Sequence, residues 1–129
     1  MAQVDTGWRG ALTYNQMVAD ELADESLDLV FHALADATRR DILRRCTQGV
    51  PSVSRLALTY PMSFAAVQKH VAVLERAGLV TKERKGREAL VRTDLTAVGR
   101  ARQALDEFEV AWRGRVDRMS RLLAEAADE

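Results

Sequence analysis

Several features are scarce in this sequence, and each scarcity excludes a class of protein. The 129 residues contain one cysteine, so no intramolecular disulfide framework can form, which favours a reducing compartment. The two histidines, His32 and His70, lie in no pattern typical of a catalytic triad, and there is no glycine-rich phosphate loop. No apolar run approaches the length of a membrane span, and no basic-then-apolar leader opens the chain. We therefore predict a cytoplasmic, non-enzymatic protein that does not associate with membranes.

Charge is balanced overall but unevenly distributed. The formal net charge is zero, with 29% charged and 47% hydrophobic residues, a composition ordinary for one folded domain. Residues 36–94 hold 12 Lys and Arg against 6 Asp and Glu, a net charge of +6. Residues 1–35 have a net charge of −5 and residues 95–129 one of −1. The positive charge is thus concentrated on one segment, as expected for a region that binds a polyanion.

Helix-capping residues divide the first two thirds of the chain into short helices. Residues 1–25 are weakly patterned around Trp8 and Leu12, and we expect an N-terminal arm there, or a short helix from about Asn15 to Asp24. Beyond it, apolar residues recur at helical spacing after each of four capping residues. These predicted N-caps are Ser26, Asp36, Ser52 and Ser63.

The segment from Ser52 to Arg92 has the order of a DNA-reading unit. Pro61 ends the third helix, and only three or four residues separate it from the fourth, which favours a steep crossing of the two helices. The fourth helix spans 63–77 and Gly78 caps it. Residues 79–93 then show two strand-like runs around Lys85 and Gly86. This order predicts a mainly α fold with a small β-hairpin, that is, a winged helix-turn-helix over residues 26–94.

A long last helix follows from Asp94 or Thr96 to about Ala126. Its apolar residues recur in steps of three and four, which is typical of a coiled-coil-like seam. The core of one small domain cannot cover an apolar stripe of this length. We therefore expect a partner helix to pack against it, most simply the last helix of a second copy. Residues 95–129 are therefore predicted to be a dimerisation helix within one structural domain. The predicted seam residues include Leu105, Phe108, Trp112, Val116, Met119 and Leu122.

The exposed side of the fourth helix carries groups suited to base edges. Gln68 can pair with adenine through two hydrogen bonds, Lys69 can reach a guanine or a phosphate, and small residues allow close approach to the groove. The alternative is a polar solvent face whose alanines serve helix propensity. The candidate DNA contacts on this helix are Ser63, Phe64, Ala65, Ala66, Gln68, Lys69 and His70. His70 fits a hydrogen-bonded structural role at least as well as a phosphate contact.

Two further basic groups are candidate phosphate contacts. Arg39 and Arg40 lie near a helix N-terminus, where the dipole disfavours cations, so they either face a polyanion or belong to a solvated or salt-bridged surface. The predicted hairpin tip suits a flanking minor groove or its phosphates, although charged tips are common on hairpins that bind nothing. The basic residues assigned to this tip are Lys82, Arg84, Lys85 and Arg87.

The same residues carry a family resemblance. The segments FHALADATRRDIL, SVSRLA and MSFAAVQKHVAVLERAGLV, with RKGREALVR, resemble the ArsR-type winged-helix repressors of bacteria over about residues 27–94. The resemblance implies a homodimer joined through the first and last helices, bound to double-stranded operator DNA with two roughly palindromic half-sites. It adds Leu27, Val30 and Phe31 to the expected dimer contacts, and it assigns Ser63 through Lys69 to base reading.

The sequence departs from the metal-sensing members of that family. No cysteine occurs between Val50 and Glu129, and the last helix has no histidine, so we predict no metal site, no cofactor and the metal-independent branch. The one thiol, Cys46, shares a face with Ile42 and Leu43, which favours a buried inert group. Arg44 and Arg45 keep open a redox-sensing role for it. The sequence is also compatible with a regulator gated by an apolar effector and with a winged helix that docks proteins.

Overall fold

Five helices and one two-stranded hairpin make up the described part of the chain. The computed structural model describes residues 13–128, so the predicted arm residues Trp8 and Leu12 lie outside the described residues. The fold class predicted from the sequence is confirmed. In chain order the elements are α1 (Tyr14–Leu34), α2 (Ala37–Gln48), α3 (Val53–Thr59), α4 (Phe64–Arg76), β1 (Val80–Lys85), β2 (Glu88–Thr93) and α5 (Thr96–Asp128).

The first helix is longer than predicted. Thr13 and Gln16 form a capping box at its start, in which the Thr13 side chain accepts from the Gln16 N–H at 3.1 Å. The helix then continues through Ser26, so the predicted N-cap at Ser26 and the separate helix ending at Asp24 are both wrong. A serine caps a helix only where the backbone leaves helical geometry, and nothing before Ser26 forces it to do so.

The other three predicted N-caps are confirmed by their hydrogen bonds. The Asp36 carboxylate accepts from the Arg39 N–H at 3.0 Å, and the Ser52 hydroxyl accepts from the Arg55 N–H at 3.1 Å. At the start of α4, the Ser63 hydroxyl accepts from the Ala66 N–H at 3.1 Å. Each of these bonds satisfies one of the backbone donors that a helix leaves unpaired in its first turn.

The end of α4 leads directly into the hairpin. Gly78 has φ 78°, and the N–H groups of Gly78 and Leu79 donate to the carbonyls of Glu75 and Leu74, each at 3.0 Å. These two bonds form a Schellman motif, which stops the helix and fixes the direction of the chain. The hairpin pairs Val80 with Thr93 at its base and Lys85 with Glu88 at its tip. Gly86, at φ 64°, supplies the left-handed conformation that this two-residue turn needs.

A single core holds these elements together. Val67, Val71 and Leu74 face inward from α4, as the sequence predicted. They pack with buried residues of α1, α2, α3 and the hairpin. Val30 is 0% exposed and belongs to this core, so the dimer contact predicted for it is wrong: its own chain covers it completely. Within the described residues, none of the helices has the length and apolarity that a bilayer crossing requires.

The last helix extends away from the core. Its 33 residues span about 50 Å at the usual rise per residue. Only Ala97 and Ala101 of this helix are buried, both in its first two turns, where it lies beside α1. Farther along, the large apolar residues are exposed, including Phe108 at 73% and Trp112 at 63%. The described chain therefore leaves most of a long apolar helix uncovered.

Candidate nucleic-acid interface

The outer face of α4 is exposed, polar and free of bulky aliphatic groups. Ala65, Gln68, Lys69 and Ala72 all lie on this face, opposite the buried valines and leucine of the same helix. A helix with such a face fits a major groove, because small residues let its axis approach the base edges while amide and ammonium groups supply donors and acceptors.

The other predicted residues of α4 are placed at the margins of this face. Ser63 is exposed, with its hydroxyl engaged in the N-cap bond, and Phe64 is 47% exposed. Ala66 and His70 are half-buried at the edge facing the rest of the domain. Arg76 is a further basic residue outside the predicted set; it is exposed and follows Lys69 by seven residues on the same side of the helix. That spacing was the signal that could have identified it.

The Arg39 side chain forms its hydrogen bonds within the protein. Its guanidinium donates to the carbonyls of Ala33 at 2.8 Å and His32 at 3.0 Å, and lies 3.2 Å from Nδ1 of His70. A guanidinium has only donors, so a hydrogen bond at this contact requires Nδ1 of His70 to be the acceptor. The hydrogen bond from the Arg39 backbone N–H lowers the pKa of the Asp36 carboxyl below its ordinary value, and the positive charge of the Arg39 guanidinium lowers it further. Arg39 therefore joins the end of α1 to α2 and α4.

Arg40 has a similar position. One of its guanidinium nitrogens donates to the carbonyl of Leu34 at 2.7 Å. The two arginines therefore place positive charge at the C-terminus of α1, where the helix dipole favours a cation and the last carbonyls need donors. This contact explains why the cations are found so near the start of α2. Their hydrogen-bond partners lie on a different helix, which the sequence of α2 alone does not reveal.

A second network fixes the turn between α3 and α4. The Tyr60 hydroxyl, in that turn, donates to the Asp41 carboxylate on α2. Asp41 also accepts from Arg44 and Arg45, each at 2.9 Å. The pKa of Asp41 is lowered, first by the bond from Tyr60 and then by that from Arg45. Burial and the bond to Asp41 raise the pKa of Tyr60 to about 12. Through these bonds, α2 sets where α4 begins.

The hairpin carries basic groups in two places. Arg84, Lys85 and Arg87 are exposed at or beside the two-residue turn. Lys82 was predicted to lie at the tip, but it pairs with Val91 nearer the base, and its ammonium is 3.6 Å from the Glu75 carboxylate on α4. Because strand residues advance only about 3.3 Å each, Lys82 is held beside the end of α4 and away from the tip.

Cys46 lies in the core and is poorly suited to redox chemistry. Its side chain is 4% exposed, and burial raises the pKa of the thiol to about 11. Nucleophilic and oxidisable cysteines need accessible thiolate at neutral pH. Arg44 and Arg45, which could have favoured the thiolate, point to Asp41. Among residues 13–128, moreover, no three His, Cys, Asp or Glu side chains are grouped to hold a metal ion.

Comparison with known proteins identified several similar proteins, and those described below are transcriptional regulators. No family model matches the sequence. The HTH-type transcriptional regulator Rv2034 of Mycobacterium tuberculosis is 39% identical over 83 residues, which cover 64% of this chain and 78% of that protein. The crystal structure of the ArsR family transcriptional regulator RHA00566 is 31% identical, with a TM-score of 0.67 over 70% of this chain and 93% of that one. An ArsR-like transcriptional regulator from Rhodococcus sp. RHA1 is 30% identical, with a TM-score of 0.71 over 78% and 93%.

The fold and the exposed face of α4 define a winged helix-turn-helix protein. A short helix, a proline-terminated turn, a capped second helix and a basic hairpin stand in the order that this class requires. With relatives at 30% identity or more that are covered over most of their length, the chain belongs to the ArsR family of transcriptional regulators.

Proposed function

We propose that this regulator is a homodimeric repressor that binds a roughly two-fold operator, with α4 in the major groove and the hairpin on flanking DNA. The proposal rests on the outer face of α4, which is exposed and carries small and polar side chains. The helix begins directly after a tight turn. A repressor of this kind blocks a promoter by occupying it. The proposal includes a cytoplasmic location and no catalytic activity.

Base reading is assigned to the first two turns of α4. Gln68 presents an amide that matches the donor and acceptor pattern of adenine, and Lys69 matches guanine or a phosphate. Ala65 and Phe64 are exposed beside them, where they can contact thymine methyl groups. The Ser63 N-cap and the Tyr60–Asp41 bond hold the start of this helix, so these side chains are presented from a fixed backbone.

Backbone contacts are assigned to the hairpin. Arg84, Lys85 and Arg87 extend beyond the body of the domain on a two-stranded ribbon, so they can reach phosphates or a minor groove next to the major-groove site. Arg76 extends the basic surface along α4 toward the hairpin. In contrast, the side chains of Arg39 and Arg40 bind the end of α1 on the side away from the proposed DNA surface. Any contact they make with phosphate is secondary to these hydrogen bonds.

Dimerisation is assigned to α5 together with α1. The predicted seam residues are all exposed in the single chain, from Leu105 to Leu122, and Phe31 and Met17 on α1 are exposed as well. Exposed apolar surface of this extent is rare on a monomer and typical of an interface. The proposal includes no metal sensing, because the one thiol is buried and the described residues provide no ligand cluster.

The test is binding of purified protein to DNA from upstream of its own gene, measured by fluorescence anisotropy against random duplex. Operator affinity should fall steeply with salt, because bound phosphates release counterions. Gln68→Ala should weaken operator binding about 5- to 100-fold, the effect of losing one good base contact. Gln48→Ala, at the exposed end of α2, is the matched control and should bind like the unmodified protein.

Three outcomes would contradict parts of the proposal. If Gln68→Ala and Lys69→Ala bind the operator as tightly as the unmodified protein, α4 does not read bases. If no genomic fragment is preferred over random duplex, the chain is not an operator-binding protein, and a protein-docking role replaces it. If light scattering shows a monomer at micromolar concentration, α5 has another partner.

A further inference from the structure

A cleft lies between the end of α2, the helix α3 and the strand β2. Its volume is about 580 Å³, within the range of about 300–1,000 Å³ that is usual for small-molecule sites. The apolar part of its lining is formed by Val50, Pro51, Leu56 and Leu90. Val50 is 42% exposed, so the α3–β2 cleft presents apolar surface to solvent that a ligand would cover.

Hydrogen bonds fix the backbone around the α3–β2 cleft. The N–H of Val91 donates to the carbonyl of Pro51 at 2.9 Å, and Ser52 forms a bridge with Leu90. These pairings join the loop between α2 and α3 to the edge of β2 that faces away from β1. The walls of the cleft are therefore formed before any ligand arrives, and binding carries no cost for ordering a loop.

Two charged side chains of the cleft, Arg55 on α3 and Glu88 on β2, have no partner of opposite charge among residues 13–128. Arg55 is exposed, and its N-cap bond from Ser52 involves the backbone N–H and leaves the guanidinium free. Arg45 also lines the cleft, but its guanidinium donates to the Asp41 carboxylate at 2.9 Å. Arg55 is therefore the cation of the cleft that is available to an incoming anion.

We propose that the α3–β2 cleft binds a small monocarboxylate with an apolar body, the chemistry of an alkyl- or aryl-acetic acid. The planar guanidinium of Arg55 can donate to both oxygens of a carboxylate, which fixes the orientation of the ligand. The apolar body then covers Val50, Leu56 and Leu90. The binding site itself does not depend on the proposed function.

Glu88 sets the selectivity of the site. Its carboxylate lines the same cleft as Arg55 and repels a second negative charge, so dicarboxylates and phosphate esters are disfavoured. A free amino acid with an apolar side chain has the same carboxylate and adds an ammonium group that Glu88 attracts. A simple acid and an amino acid therefore share the chemistry that Arg55 recognises, and they differ at Glu88.

The effect of the ligand on DNA binding rests on the proposed function. Glu88 follows Arg87, one of the proposed phosphate contacts, directly in the chain. A bound monocarboxylate adds a negative charge near this contact, so operator affinity should fall about 2- to 5-fold at low salt. By linkage, operator DNA should weaken binding of the ligand by the same factor.

NMR titration of the isotope-labelled full chain with phenylacetate tests the site, because it locates a weak ligand residue by residue. Amide shifts should concentrate in residues 45–59 and 88–91, with a dissociation constant of about 0.1–1 mM. Arg55→Gln should weaken binding at least about 10-fold, the effect of losing a charged hydrogen-bond donor. Arg102→Gln, which removes an exposed arginine of α5 outside the cleft, is the matched control and should bind like the unmodified protein.

Two further ligands test the role of Glu88. Phenyl phosphate, with its greater negative charge, should bind more weakly than phenylacetate, and Glu88→Gln should reduce the difference at least about 2-fold. L-Phenylalanine distinguishes the two sources of the carboxylate. Tighter binding than phenylacetate, lost in Glu88→Gln, identifies an amino acid, and weaker binding identifies a simple acid. Tighter binding of phenyl phosphate to the unmodified protein would overturn the monocarboxylate assignment.

The remaining outcomes separate the site from the proposed function. The site is overturned if phenylacetate and L-phenylalanine cause no shifts up to about 10 mM, far above the expected dissociation constant. Shifts confined to the exposed apolar residues of α5, or equal binding by Arg55→Gln and the unmodified protein, overturn it as well. Unchanged operator affinity in the presence of bound ligand overturns the coupling alone. Because the titration contains no DNA, failure to find an operator contradicts only the proposed function.

Discussion

The guanidinium of Arg39 lies 3.2 Å from Nδ1 of His70, and this contact joins the helix before the helix-turn-helix to the side of α4 that faces the domain. The same guanidinium closes the C-terminus of α1 through the carbonyls of His32 and Ala33. One side chain thus links α1, α2 and α4. The orientation of the proposed reading helix depends on it, although Arg39 itself is half-buried behind the DNA-facing surface.

Arg39→Lys should lower the free energy of unfolding by about 1–3 kcal/mol, because a single ammonium cannot reproduce three divergent hydrogen bonds. Urea denaturation measures this. Arg44→Lys is the control: Arg44 is exposed and has one carboxylate partner, so the change should stay within about 0.5 kcal/mol. The salt dependence of DNA binding should be unchanged in the neutral variant Arg39→Gln, whereas Lys85→Ala should reduce the slope by about 0.9. A reduced slope in Arg39→Gln would make Arg39 a phosphate contact.

Tyr60→Phe should destabilise the protein by about 1–2 kcal/mol, because it removes a hydrogen bond to a carboxylate and leaves the rest of the ring in place. Tyr14→Phe is the matched control, since Tyr14 is 79% exposed, and it should be neutral within error. Urea denaturation of the two variants gives the comparison. Equal stability of both would show that the Asp41 bond does not hold the α3–α4 turn.

The stabilising effect of Tyr60 should disappear in alkali. The pKa of Tyr60 is raised to about 12, above its ordinary value of 10, so the folded state holds the phenol proton more tightly than the unfolded state. This contribution is fully present below pH 10 and is lost as the pH rises toward 12. The difference in unfolding free energy between the unmodified protein and Tyr60→Phe should therefore shrink over this interval. A constant difference from pH 8 to 12 would contradict the assignment.

Cys46 should react with a thiol reagent only when the protein unfolds. Its burial and its pKa of about 11 together suppress the thiolate at neutral pH. Labelling of the native protein with an aromatic disulfide at pH 7.5 should be at least about 100-fold slower than labelling in urea. Rapid stoichiometric labelling of the native state would restore the redox-sensing role that the sequence left open.

Gly78→Ala should cost about 1–2 kcal/mol, because φ of 78° is the left-handed conformation that a Cβ disfavours. A Cβ there meets no atom within 4 Å, so the cost is purely conformational. Gly49→Ala provides the control, since φ of 175° is ordinary extended backbone and the space around it is also open. Thermal or urea denaturation distinguishes them. Equal stabilities would show that Gly78 relaxes out of its cap.

Local features of the sequence predicted most of the fold. The N-caps at Asp36, Ser52 and Ser63, the stop at Gly78 and the turn at Gly86 are all short-range properties, and each was located correctly. Ser26 shows the limit of this reasoning, because a good capping residue is also tolerated inside a helix when the chain upstream is already helical.

Contacts between distant residues could not be predicted in this way. The Arg39–His70 and Tyr60–Asp41 bonds join residues that are 31 and 19 positions apart. No periodic pattern in the sequence indicates that such distant residues are in contact. Lys82 was assigned to the tip from its place in the sequence, whereas strand register and Glu75 place it beside α4. The base-reading residues on α4 were located by helical spacing alone, and their role in DNA binding stays a prediction.

The junction at Gly78 and Leu79 has a mechanical consequence for the proposed complex. Two residues separate the cap of the reading helix from the first strand, and both give their N–H groups to the last turn of that helix. In the proposed complex, α4 and the hairpin are therefore held at a fixed distance and angle and approach the duplex as one rigid unit. An operator whose groove spacing does not match this unit must itself bend. Sequences that deform easily between the two contact points should therefore be favoured, even at positions where no side chain touches a base.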